Sequence, residues 1–94
     1  MMEQNQKESE LWSNRKKIEL IREEEKVIVL LNGQEYMMWD GADKSTPKVA
    51  IVEIHELGLA KKEEIASAFD INIKTVYNYI TAFKLKGISG LIEE

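Results

Sequence analysis

The stretch Lys61–Ile80, KKEEIASAFDINIKTVYNYI, reads as two short helices joined by a tight turn. Ile65, Ala66 and Phe69 share one helical face, and Val76, Tyr79, Ile80 and Phe83 share another, both at i, i+3, i+4 spacing. Between them Phe69-Asp70-Ile71-Asn72 is too short for anything but a turn. Ala66 is small where the helices would cross closely, Ile71 is the buried plug of the turn, and Asn72 can cap the second helix. This is the pattern of a helix-turn-helix. Its first helix, Lys61 to Phe69, starts without a good cap, and Glu63 and Glu64 favour the N-terminal dipole instead. Its second runs from Asn72 to Lys86 and ends at Gly87, with Lys84 and Lys86 suiting the negative end.

Ile65, Ala66, Phe69, Ile71, Asn72, Thr75, Val76, Tyr79 and Ile80 stand in an order that resembles the helix-turn-helix of bacterial insertion-sequence transposases, roughly I-A-x-x-F-x-V-S-x-x-T-V-x-x-W-V. The tail Phe83-Lys84-Leu85-Lys86-Gly87-Ile88-Ser89-Gly90-Leu91 is similar to the x-x-G-I-x-G-L that follows the second helix in that family. A helix and a β-hairpin ahead of the motif suit a transposase subgroup, so the resemblance extends over residues 26 to 92. Asp70 departs from it, standing where the family prefers Gly. A left-handed backbone costs a non-glycine residue ~1–2 kcal/mol, less for Asp, whose short side chain hydrogen-bonds locally.

The resemblance implies a module that binds double-stranded DNA at the terminal inverted repeats of a mobile element, with strand-transfer chemistry on a separate carboxylate-bearing domain. In a helix-turn-helix the second helix lies in the major groove. With Val76, Tyr79, Ile80 and Phe83 turned to the core, Lys74, Tyr77, Asn78, Thr81 and Leu85 occupy the opposite face. Asn78 can pair bidentately with adenine, Lys74 can reach guanine, and Tyr77 or Thr81 can touch a phosphate or a thymine methyl. Thr75 and the amides near Asn72 sit where a phosphate docks on a helix N-terminus, and Lys84 is a further phosphate contact. The bland alternative is a solvated face on a structural helical unit.

Ninety-four residues suit one small domain and leave no room for a full catalytic one. Without cysteines there is no disulfide, and the lone His55 has no partners for a zinc site. No cofactor is expected. That composition fits a reducing cytoplasm. No run approaches the ~20 apolar residues of a membrane span. The formal charge of −4 argues against nucleic acid, but it is unevenly spread. Residues 71 to 92 hold Lys74, Lys84 and Lys86 and no carboxylate, whereas residues 1 to 46 hold 7 basic and 10 acidic side chains. Such a modest positive face predicts weak DNA binding that depends on further contacts or a dimer.

From Glu10 to Glu25 a loose stripe of Leu11, Ile18 and Ile21 among alternating charges predicts an N-terminal helix, with Ser9 as its cap. Lys26–Leu31 and Gln34–Trp39, joined by Asn32-Gly33, form the clearest hairpin signal, since both residues of a type I′ turn need positive φ. That loop would set Leu31 opposite Gln34, Val29 opposite Tyr36 and Val27 opposite Met38, with both faces largely apolar. A lone ribbon is marginal in water. It should be covered by the N-terminal helix, by the next helix or by another subunit, and a homodimer through residues 10–39 is expected. Thr46 as cap and Pro47 as first helical residue open a helix that closes at Gly58, with apolar residues on two sides. His55 on it is expected at the surface or half-buried.

The overall expectation is a mainly α fold, a tri-helical helix-turn-helix domain (46–94) preceded by an N-terminal helix and a β-hairpin (1–45). A free-standing transcriptional regulator and a dimerising interaction module remain alternatives to the transposase reading.

Overall fold

The computed structural model describes residues 17–92. Three strands come first: β1 (Ile18–Glu23), β2 (Lys26–Leu31) and β3 (Gln34–Asp40). They form one antiparallel sheet in the order β1-β2-β3. Four helices follow: α1 (Thr46–Glu56), α2 (Lys62–Phe69), α3 (Ile73–Lys86) and the single turn α4 (Ser89–Ile92).

This overturns the expectation of a mainly α, tri-helical fold with a hairpin appended. Among the described residues about 49% are helical and 25% lie in strands, an α/β fold. The difference lies in residues 18–23, expected in a helix and found as strand β1. The earlier part of that helix, with Leu11 and Trp12, falls outside the described residues. The Ile18 and Ile21 spacing suits a helical stripe, but Ile18 and Leu20 also alternate with Glu19 as a strand requires. The decision rests with the hairpin, whose β2 would otherwise show an unpaired edge of backbone N–H and C=O groups. Every residue of β1 pairs with β2, from Ile18 opposite Leu31 to Glu23 opposite Lys26. The Glu24-Glu25 turn closes the pair, with Glu24 at φ 54°.

The β2–β3 turn has Asn32 at φ 54° and Gly33 at 83°, the positive pair that a type I′ turn needs. Leu31 does face Gln34, but the expected register fails beyond it. A bulge lies opposite Val29/Leu30, so Leu30 faces Glu35 while Val29 faces Met37 and Val27 faces Trp39. A one-residue slip exchanges the faces of a strand. Here it turns Trp39 inward, where its ring stacks on Phe69 of α2 with centroids 6.1 Å apart. Tyr36, the extra residue, donates its hydroxyl hydrogen to the Glu53 carboxylate on α1. Burial first, then that bond and the Glu53 charge, push the Tyr36 phenol up to about 12.

The N-terminus of α1 also differs from expectation. The Thr46 side chain does not cap it. Asp43 does, accepting from the Ser45 and Thr46 amides at 2.9 and 3.0 Å and from the Thr46 hydroxyl. These bonds, the hydroxyl's foremost, hold the Asp43 carboxyl below the usual carboxylate range. At the other end the Leu59 amide reaches Ile54 O and the Gly58 amide reaches His55 O, both at 3.0 Å, with Gly58 at φ 70°. That is a Schellman closure. His55 is half-buried beside Glu56, Nδ1 to Oε2 3.4 Å.

One hydrophobic core joins sheet and helices. Val27, Val29 and Trp39 from the inner sheet face, Ala50, Ile51 and Ile54 from α1, Ile65 and Phe69 from α2, Val76 and Ile80 from α3, and Leu91 from α4 all belong to it. The core therefore runs across the junction at residues 45/46. The α4 turn docks tightly because Gly90 has no side chain: a Cβ there would lie 2.6 Å from the Ala82 carbonyl oxygen. No helix among the described residues is long and apolar enough to cross a membrane.

Candidate nucleic-acid interface

The α2–α3 unit is finished by local groups. The Lys61 amide donates to the Glu64 carboxylate at 2.7 Å, so Glu64 reaches back to close the start of α2. At its end Asp70 is left-handed, φ 56° and ψ 49°. The Ile71 amide reaches Ala66 O at 3.0 Å and the Asp70 amide reaches Ser67 O at 3.2 Å. Asp70 thus occupies the position that glycine usually fills in this closure. Two residues on, the Asn72 carbonyl oxygen of the side chain accepts from the Lys74 amide at 2.8 Å and caps α3. The chain reverses in three residues, with Ile71 half-buried and packed on the core.

Along α3, Val76 and Ile80 are buried while Lys74, Tyr77, Asn78, Thr81 and Lys84 are exposed. The helical period brings Lys74, Tyr77, Asn78 and Thr81 to one side, with Lys84 one turn beyond Thr81 and two beyond Tyr77. Leu85, 78% exposed, adds an apolar group to the same side. Two of the expected contacts stand apart. Thr75 is half-buried on the flank next to Tyr79, and the Asn72 side-chain oxygen is already used by the cap, leaving its amide hydrogens to serve a ligand.

Two lysines that the sequence reading passed over flank this helix. The Lys62 ammonium sits 4.9 Å from the centre of the Tyr77 ring, carrying a positive charge from the start of α2 to the exposed face of α3. Lys48 of α1 lies 5.8 Å from the Tyr79 ring on the other flank. No sequence signal links either pair, because they meet only through the packing of separate helices. Beyond Lys48 a cleft of about 190 Å³ opens between sheet and helices, with Trp39, Phe69 and Tyr79 in its wall and Arg22, Lys44 and Lys48 also lining it.

No family model, curated protein or solved structure matches the chain. The transposase resemblance therefore rests on residues 65–91 and their spacing.

Among the described residues no three His, Asp or Glu side chains cluster as metal ligands. What the α3 face offers is hydrogen-bond donors and acceptors, cations and aromatic edges, a set suited to recognition.

Proposed function

We propose that this chain binds double-stranded DNA, with α2 and α3 acting as a helix-turn-helix and α3 entering the major groove. The observation that carries the reading is the coincidence on α3 of an exposed polar face, Lys74, Tyr77, Asn78 and Thr81, with a stretch from residue 71 to 92 that contains no carboxylate. Phosphate contact favours positive charge, and base reading needs side chains such as Asn and Lys at the start of the recognition helix. Lys62 adds to that charge. In this reading Asn78 and Lys74 face base edges, while Lys62 and Lys84 meet phosphates. The module works in the cytoplasm as the end-recognition part of a transposase, positioning DNA that another domain cuts.

The test is fluorescence anisotropy with a duplex selected from a random pool and a scrambled duplex of the same composition. Asn78→Ala is expected to reduce discrimination between them, a bidentate base contact supplying ~1–3 kcal/mol. Lys84→Ala is expected to weaken both alike and to lower the salt slope by about one unit. If the parent selected no duplex, or if both variants bound every duplex as the parent does at low salt, the face would be solvated scaffold.

A further inference from the structure

The cleft between sheet and helices gathers positive charge in a chain whose formal charge is −4. Arg22, Val27 and Trp39 stand opposite one another across the three strands, on the inner face of the sheet. Lys44 precedes α1 and Lys48 lies in its first turn, so cations from two separate parts of the chain meet at one opening. Among the described residues none of the three forms an ion pair, the one such contact being that of His55 with Glu56. Asp43 is the single carboxylate in the lining. Both its oxygens are taken up by the Ser45 and Thr46 amides and the Thr46 hydroxyl. Of the other acids nearby, Glu23 and Asp40 alternate to the outer face of the sheet, Glu24 and Glu25 form the β1–β2 turn, and Asp70 is exposed; none lines the cleft. Like charges held together over a low-dielectric wall raise the local potential and draw in an anion.

Between these cations the wall is apolar and aromatic. Trp39 and Phe69 are stacked at 6.1 Å, Ile51 is buried, and Tyr79 is half-buried with the Lys48 ammonium 5.8 Å from its ring centre. The volume of about 190 Å³ decides the size of an occupant. An apolar cavity of about 150 Å³ accepts a benzene ring, and drug-sized ligands need about 300 Å³ or more. One ring with one small charged substituent is what the space allows. We propose that the cleft binds a small planar aromatic carboxylate, its ring against the Trp39, Phe69 and Tyr79 wall and its charge at Arg22 and Lys48. The Arg22 guanidinium offers a carboxylate its paired donors, and Lys48 a point charge. A duplex backbone is the poorer complement, because a phosphate brings charge but no ring to displace water from the aromatic wall. The site goes beyond the DNA reading and uses none of Lys74, Asn78 and Lys84, so either can fail without the other.

The experiment titrates the full, isotope-labelled chain with benzoate, with benzamide and with acetate, and follows the Trp39 indole N–H and Ile51 methyl resonances. Benzoate is expected to move both along one saturable curve. Benzamide, which keeps the ring and loses the charge, should bind about ten-fold more weakly, and acetate, which keeps the charge and loses the ring, should leave both resonances in place. Arg22→Gln and Lys48→Gln should each weaken benzoate about ten-fold, with the resonances of the ligand-free variants showing that the fold is kept. Lys86→Gln, at the far end of α3, should change nothing. Resonances that benzoate leaves unmoved would overturn the proposal, and so would benzamide or acetate binding as well as benzoate. Silence towards benzoate, together with a lower salt slope of duplex binding in Arg22→Gln and Lys48→Gln, would assign the three cations to the DNA backbone instead.

Discussion

The α2–α3 unit and the sheet are held in different ways. In the α2–α3 unit the start of α2 and both ends of the turn are completed by groups a few residues away: Glu64 on the Lys61 amide, Ala66 O on the Ile71 amide, Asn72 on the Lys74 amide. In the sheet little is completed locally apart from its turns. Its inner face needs α1 and α2, and Trp39 needs Phe69. Even the position of Trp39 depends on a bulge that only a core makes worthwhile. The helical unit should therefore respond to substitution in small, separable steps, and the sheet in one large step shared with the helices that cover it.

The largest effect is expected at that junction. Trp39→Ala removes an aromatic ring that is 7% exposed and stacked on Phe69, and should cost about 3–5 kcal/mol in urea denaturation. Strand and helix signals should fall together. If the helical signal outlasted the strand signal, the sheet and helices would be separate folding units divided near residue 45. Next comes Gly90→Ala, whose new methyl meets the Ala82 carbonyl oxygen. It should cost about 1–3 kcal/mol through displacement of α4 and its buried Leu91. An unchanged melting temperature would show that α4 adds nothing to the core.

A smaller and opposite effect is expected in the turn. Asp70→Gly relieves the left-handed backbone at φ 56°, offset by the greater freedom of glycine in the unfolded chain, for a net gain of about 0.5 kcal/mol. A loss of stability would mean that the Asp70 side chain supports the turn. The smallest effect is acid-dependent. Because Asp43 has its carboxyl pKa lowered by its bonds to Thr46 and Ser45, its contribution is present above the unfolded value and lost as pH falls through the folded one. It should therefore disappear below about pH 4. Asp43→Asn should flatten that part of the stability profile, and an unchanged profile would place the acid sensitivity elsewhere.

Several features were determined by the sequence alone because their causes lie within a few neighbouring residues. Asn32-Gly33 specifies its hairpin turn, Pro47 and Gly58 bracket α1, and Asp70 to Asn72 end one helix and begin another. The side of α3 that carries Lys74, Tyr77, Asn78 and Thr81 follows from the helical period once Val76 and Ile80 are assigned inward. Tertiary structure decided the rest. Residues 18–23 satisfy a weak helical stripe and a weak strand alternation almost equally, and the unpaired edge of β2 tips them into a strand. The bulge at Tyr36 is set by what Trp39 and Tyr36 meet on α2 and α1, which no local pattern encodes. Likewise Lys62 joins the α3 face, and Thr75 leaves it, only because packing fixes how separate helices lie against one another. Local rules choose among backbone shapes worth about 1 kcal/mol each, and where they nearly balance, burial of a shared core makes the choice.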